Sequence, residues 1–98
     1  MAIVEVSVIP LGTSTPSVGD YVVASLKVLK KSGLKYELTP MGTVIEGDLD
    51  VILSIIRQMH EACFKNEIKR VVTFIKIDDR RDKTATIEDK VQSVLKKL

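Results

Sequence analysis

The stretch Tyr36–Asp48, YELTPMGTVIEGD, constrains the fold of this chain more than any other. Thr39-Pro40-Met41-Gly42 fits a type I turn, with proline at the second position and glycine at the fourth. Before the turn, Tyr36 and Leu38 alternate with Glu37 and Thr39. After it, Thr43-Val44-Ile45-Glu46 leads to Gly47-Asp48, a helix start. A β-hairpin therefore sits mid-chain, with one strand and one amphipathic helix on each side of it.

On the N-terminal side, residues 2–10 alternate: Val4, Val6 and Val8 on one face, Ile3, Glu5, Ser7 and Ile9 on the other. β-Branched residues at period two make a strand, which Pro10 ends. The polar run 11–17, LGTSTPS, connects it to a helix. Thr15 before Pro16, or Ser17 before Asp20, can cap that helix. The same hydroxyls and backbone N–H groups can instead hold a ligand at a helix N-terminus. The run lacks the GxxxxGK[ST] spacing of a phosphate-binding P-loop. From Val18 to Ser32 the period is helical, with Val18, Val22, Leu26 and Leu29 on one stripe, Val23 beside it, and Gly33 as the stop.

Beyond the hairpin, Asp48 caps a helix over Leu49–Lys65 that buries Leu49, Ile52, Ile55 or Ile56, Met59 and Cys63. Ile68–Asp78 is the last strand. The charged run 78–83, DDRRDK, is a solvated connection or, through Arg80 and Arg81, an anion site or a set of inter-subunit salt bridges. Thr86 then caps a helix reaching Leu98, with Asp89 at N3 and Ile87, Val91, Val94 and Leu98 on one stripe.

This order predicts an α+β fold over 1–98 as a single domain. It is a ferredoxin-like sandwich, βαββαβ plus a C-terminal helix, with a four-stranded antiparallel sheet whose first and third strands are central. With two helices on one side only, the other sheet face should be polar, yet Ile3 and Ile9 share it with Glu5 and Ser7. We expect that face to be covered by the C-terminal helix, by a second subunit, or by both. Glu5, Glu37, Glu46 and Lys76 then form a half-buried polar cluster, and its carboxylates need partners such as Lys76, Lys35 or an amine-bearing ligand.

Composition narrows the function. A net charge of +2 without a clustered basic patch argues against nucleic acid. RNA-recognition domains share the topology but stack bases on strand aromatics, and here the first strand has none and the last only Phe74. One cysteine excludes an intramolecular disulfide and a four-cysteine cluster, and fits a reducing compartment. The first twelve residues lack a basic n-region and alternate like a strand, and no apolar run reaches the roughly 18 residues of a membrane span, so a soluble cytoplasmic protein is expected. His60 and Cys63 are three apart on a helix but lack the further partners of a metal site or a catalytic triad. No catalytic residue, metal or cofactor is expected.

Four runs, VSVIPLGTSTPS at 6–17, LKYELTPMGTVIEGD at 34–48, KRVVTFIKIDDRRD at 69–82 and EDKVQSV at 88–94, together resemble the small YkoF-like, thiamine-binding-protein family. The resemblance spans nearly the whole chain. It implies the ferredoxin-like fold, homodimers or homotetramers paired through their sheets, and binding of thiamine or its hydroxymethylpyrimidine part without chemistry. It places ligand contacts at Gly12, Thr13 and Ser14, and around the hairpin at Tyr36, Met41, Thr43 and Glu46. Glu46 can accept from a pyrimidine amine, hydroxyls of Thr13 or Thr43 can complete the edge, and Met41 can wall the ring. Glu46 can equally pair with Lys35 across the hairpin. The alternatives are a regulatory or scaffold oligomer without a thiamine-related ligand, and an RNA-binding module.

Overall fold

The computed structural model of the protein describes residues 1–14, 18–65 and 68–98. β1 (Ala2–Leu11) forms from the valine alternation and becomes the strand against which the rest is laid. It pairs antiparallel with β3 (Gly42–Gly47) through Ala2–Val6, and with β4 (Arg70–Asp79) along its whole length. β2 (Lys35–Thr39) pairs with β3, so the sheet order is β2-β3-β1-β4, with the first and third strands central. α1 (Gly19–Ser32) and α2 (Leu49–Ala62) cover one face, and α3 (Ile87–Leu95) follows β4. This is the expected ferredoxin-like α+β sandwich. β1 runs one residue past Pro10. A proline costs a ladder bond only where its missing N–H would face a partner, and beyond Val6 β1 has no strand on the β3 side.

The core lies between the helices and one face of β1 and β3. Val4, Leu29, Ile45 and Ile52 are fully buried there, each worth about 1.5–3 kcal/mol relative to exposure. α2 buries Ile52, Ile56 and Met59, with Ile55 half-buried beside them, and the Asp48 side chain accepts from the Val51 N–H at its start. The hairpin turns through Pro40-Met41, with Thr39 opposite Gly42. The Thr39 hydroxyl accepts from the Met41 N–H at 3.3 Å and donates to the Gly42 carbonyl at 2.9 Å, tying the turn to itself.

Three expectations change. Thr15 and Ser17, the expected caps of α1, lie outside the described residues; the N-cap is Val18, whose side chain makes no capping bond. The buried line of α1 runs through Ser25 and Leu29, while Val22 and Val23 are exposed. Ser25 is small enough to let α1 approach α2: its hydroxyl donates to the Met59 carbonyl at 3.0 Å and lies 3.2 Å from Cys63 Sγ. Finally, α3 covers only a corner of the open face. Ile87 is buried, but Val91, Val94 and Leu98 are exposed, and so are Ile9, Leu11 and Phe74 on the sheet.

Candidate functional site

β1 has ten residues and β3 six, and their pairing stops at Val6. From Ser7 onward β1 continues without a strand on that side, while the hairpin turns back at Pro40-Met41. The N-terminal half of α1 passes over the gap. The result is a cavity of about 300 Å³, bounded by Val8 of β1, Val22 and Leu26 of α1, Met59 of α2, and Met41 and Thr43 of the hairpin. That volume is at the lower end of the range usual for small-molecule sites, roughly 300–1,000 Å³. It explains Val22: the residue stands on the inward arc of α1 but meets the cavity instead of packed side chains.

The walls are apolar with a few neutral polar groups. Thr43 is buried, and its side chain makes no hydrogen bond among the described residues. Ser25 is also buried at the wall, with its hydroxyl committed to Met59. None of the described residues that line the cavity is ionisable. The hairpin tip is fastened to β1 by the Ser7 hydroxyl, which donates to the Met41 carbonyl at 2.9 Å. Gly42 is required at that contact: a Cβ there would stand 2.8 Å from Ser7 Oγ and 3.0 Å from the Val6 carbonyl oxygen. Such a surface can hold a flat, uncharged ring between Met41 and the valines and hydrogen-bond its edge through Thr43.

Of the residues singled out in the sequence, the fold brings Met41 and Thr43 together in this cavity. Gly12, Thr13 and Ser14 follow the end of β1, with Gly12 at a φ of 78°. They stand in the chain between two cavity-lining residues, Ile9 and Val18. Tyr36 lies on the edge strand opposite Ile45 and is not part of the lining. Sequence reading missed the α1 contribution, Ser25 and Leu26, and the α2 contribution, Met59. The signal available was a serine on the inward arc of an amphipathic helix.

Glu46 lies on the other sheet face. By strand alternation it shares that face with Glu5 and Lys35, and Lys35 is its cross-strand partner. Only 8% of Glu46 is exposed. One carboxylate oxygen, Oε1, accepts from the Ile87 N–H at 2.7 Å, and Oε2 is 3.7 Å from Lys35 Nζ. The carboxylate therefore sits at the positive end of α3 and satisfies a first-turn N–H that has no acceptor within the helix. Thr86 and Asp89 complete the start of α3 with a reciprocal capping box. Lys35 also meets Glu88 at 2.5 Å, which raises the lysine pKa and lowers that of Glu88.

His60 hydrogen-bonds the Thr73 hydroxyl through Nδ1 at 2.6 Å and sets its ring edge-on to Phe64. Cys63 is buried beside Ser25. Among the described residues no cluster of histidine, cysteine and carboxylate side chains could hold a metal ion, and no helix is long and apolar enough to cross a membrane. Arg80 chelates Asp82 at 2.6 and 2.9 Å and holds its carboxyl pKa down to about 2, while Arg81 binds Asp79.

A family described as thiamine-binding protein matches residues 4–95. The UPF0045 protein YqgV of Bacillus subtilis is 49% identical across the whole of this chain, which covers 98% of that protein. Among solved structures, the hypothetical protein MJ1052 of Methanocaldococcus jannaschii superposes with a TM-score of 0.87 at 46% identity, over 95% of this chain and 94% of that one. A putative thiamine biosynthesis/salvage protein of Thermotoga maritima superposes with a TM-score of 0.79 over 95% and 97%; at 24% identity that likeness shows the fold alone. Full-length relatives at this identity and a family match over nearly every residue leave one assignment: the chain belongs to the thiamine-binding protein family.

Proposed function

We propose that the protein, one domain over 1–98, binds thiamine or its hydroxymethylpyrimidine part without chemistry, in the cavity at the hairpin tip, and does so as a homo-oligomer. The observation that carries this reading is the cavity itself: an apolar site with an uncommitted hydroxyl that remains accessible on an otherwise buried residue, Thr43, and a thioether wall, Met41, in a chain of this family. An aminopyrimidine offers two flat apolar faces and an edge of ring nitrogens and amine hydrogens. The faces suit Met41, Val8 and Val22. The edge suits Thr43 and the strand-free edge of β1 beyond Val6. Gly12, Thr13 and Ser14, placed between Ile9 and Val18 in the chain, extend the mouth. Self-association is supported by the apolar residues left exposed on the open sheet face, Ile9, Leu11 and Phe74, and on α3, Val91 and Leu95.

Calorimetric titration of thiamine and of hydroxymethylpyrimidine, with native mass spectrometry of the same sample, tests both parts. Saturable binding of either compound is expected, weakened about tenfold by Thr43→Val through the loss of roughly 1.4 kcal/mol of hydrogen bonding. The expected species is a dimer or tetramer. Absence of heat with both compounds removes the ligand reading, and a monomer at micromolar concentration removes the assembly.

A further inference from the structure

A second depression, of about 400 Å³, lies between the β4–α3 connection and the outer side of α3. It shares none of the described residues with the hairpin cavity. Arg80 and Lys83 reach it from the connection, and Lys90 reaches it from the first turns of α3. Thr84 and Ser93 add hydroxyls, and Ala85 and Val94 add an apolar patch. Among the described residues of the lining the one carboxylate is Asp89, which accepts from the Thr86 N–H.

The donors are only partly used. Arg80 spends Nε and Nη2 on Asp82, leaving Nη1 unspent. Lys90 has one contact, to Asp78, and two further N–H groups. Lys83 makes no ion pair or hydrogen bond among the described residues, nor do the side chains of Thr84 and Ser93. One ammonium without a direct ion pair, in the field of Asp82 and Asp89, a guanidinium edge and two hydroxyls thus line one depression. Charge-assisted donors with hydroxyls beside them are the chemistry that recognises a tetrahedral oxyanion. Arg81, by contrast, is turned away to Asp79.

We propose that this depression is a binding site for a phosphate-class anion, free phosphate or the phosphate of a small monoester. Lys83 and Arg80 hold the oxygens, Thr84 and Ser93 complete the shell, and Ala85 and Val94 meet the organic part of an ester. Because Asp82 and Asp78 pair with Arg80 and Lys90, and Asp89 stands in the field of Lys83, affinity is modest and falls with salt. The site is compatible with assembly through α3. At 100° per residue, Asp89, Lys90 and Ser93 occupy one arc of the helix, and Ile87, Val91 and Leu95 occupy another.

The test is an NMR titration of the full-length protein with inorganic phosphate and with phenyl phosphate, at ionic strength held constant with sodium chloride. Saturating shifts are expected at the Lys83, Thr84 and Ser93 amides. Lys83→Gln, an exposed change that does not threaten folding, should weaken binding at least fivefold, and Lys27→Gln on α1 should leave it unchanged. Tighter binding of phenyl phosphate identifies an ester site, and equal binding identifies free phosphate. Scattered or non-saturating shifts, or affinity unchanged in Lys83→Gln, overturn the proposal.

Discussion

Glu46→Ala separates the two roles open to this carboxylate. In the fold it holds α3 to the sheet: Oε1 takes the Ile87 N–H at 2.7 Å, and Ile87 is the one buried residue of α3. A hydrogen bond to a charged acceptor is worth about 1.5–3 kcal/mol, and removing the acceptor strands a buried donor. The Lys35 contact adds little, because at 3.7 Å and half exposed it is screened, and Lys35 keeps Glu88. About 2 kcal/mol therefore falls on the docking of α3, which is a roughly 30-fold rise in its opening equilibrium. Amide hydrogen exchange reads this directly. Protection of Lys90, whose N–H bonds the Thr86 carbonyl, should fall about 30-fold while that of β1 stays constant. Glu46→Gln keeps a neutral acceptor and should fall only about fivefold, from roughly 1 kcal/mol. Ligand affinity at the hairpin cavity should not change in either variant. Unchanged protection of α3, or a ligand affinity that collapses with the carboxylate, refutes the reasoning and returns Glu46 to the binding site.

Two further outcomes follow from the geometry. Gly42→Ala forces a methyl to within 2.8 Å of Ser7 Oγ and 3.0 Å of the Val6 carbonyl, an overpacking cost of about 1–3 kcal/mol readable by urea denaturation; Ser7→Ala in the same chain should recover part of it, and a double mutant no better than the single refutes the contact. Arg80 depresses the Asp82 pKa to about 2, below the 3.8 of a free aspartate side chain, so the pair's contribution is fully present above about pH 4 and is lost as pH falls through about 2; carboxyl NMR titration should show that midpoint, and Arg80→Ala should return it toward 3.8.

The fold was legible because its signals are local. Valines at period two, the Thr39–Gly42 turn, Asp48 before a helix and Thr86 with Asp89 three residues on each depend on neighbours within a few residues. The same locality explains the errors. The inward arc of α1 was read from its valines, but the contact that sets the helix is Ser25 on Met59 and Cys63, 34 and 38 residues away. The pairing of Lys35 with Glu46 could be read from the hairpin register, whereas the Ile87 N–H, 41 residues distant, could not. The hairpin cavity arises from the difference between two strand lengths, ten residues against six, and from where their pairing stops. Met41 and Thr43 were in view; the walls supplied by α1 and α2 were not.

No described residue that lines that cavity is ionisable, and this limits what can sit in it. A charge moved into an apolar site without a partner costs several kcal/mol, more than one neutral hydrogen bond returns. A ligand with a neutral ring and a cationic ring can therefore seat only the neutral one against Met41 and Thr43. The cationic ring must stay at the mouth, in water or against a carboxylate. Adding the cationic ring should then gain little affinity over the neutral ring alone, and what it gains should fall with salt while the neutral ring's contribution does not. If instead the cationic ring supplies most of the affinity, the ligand is not held by these walls.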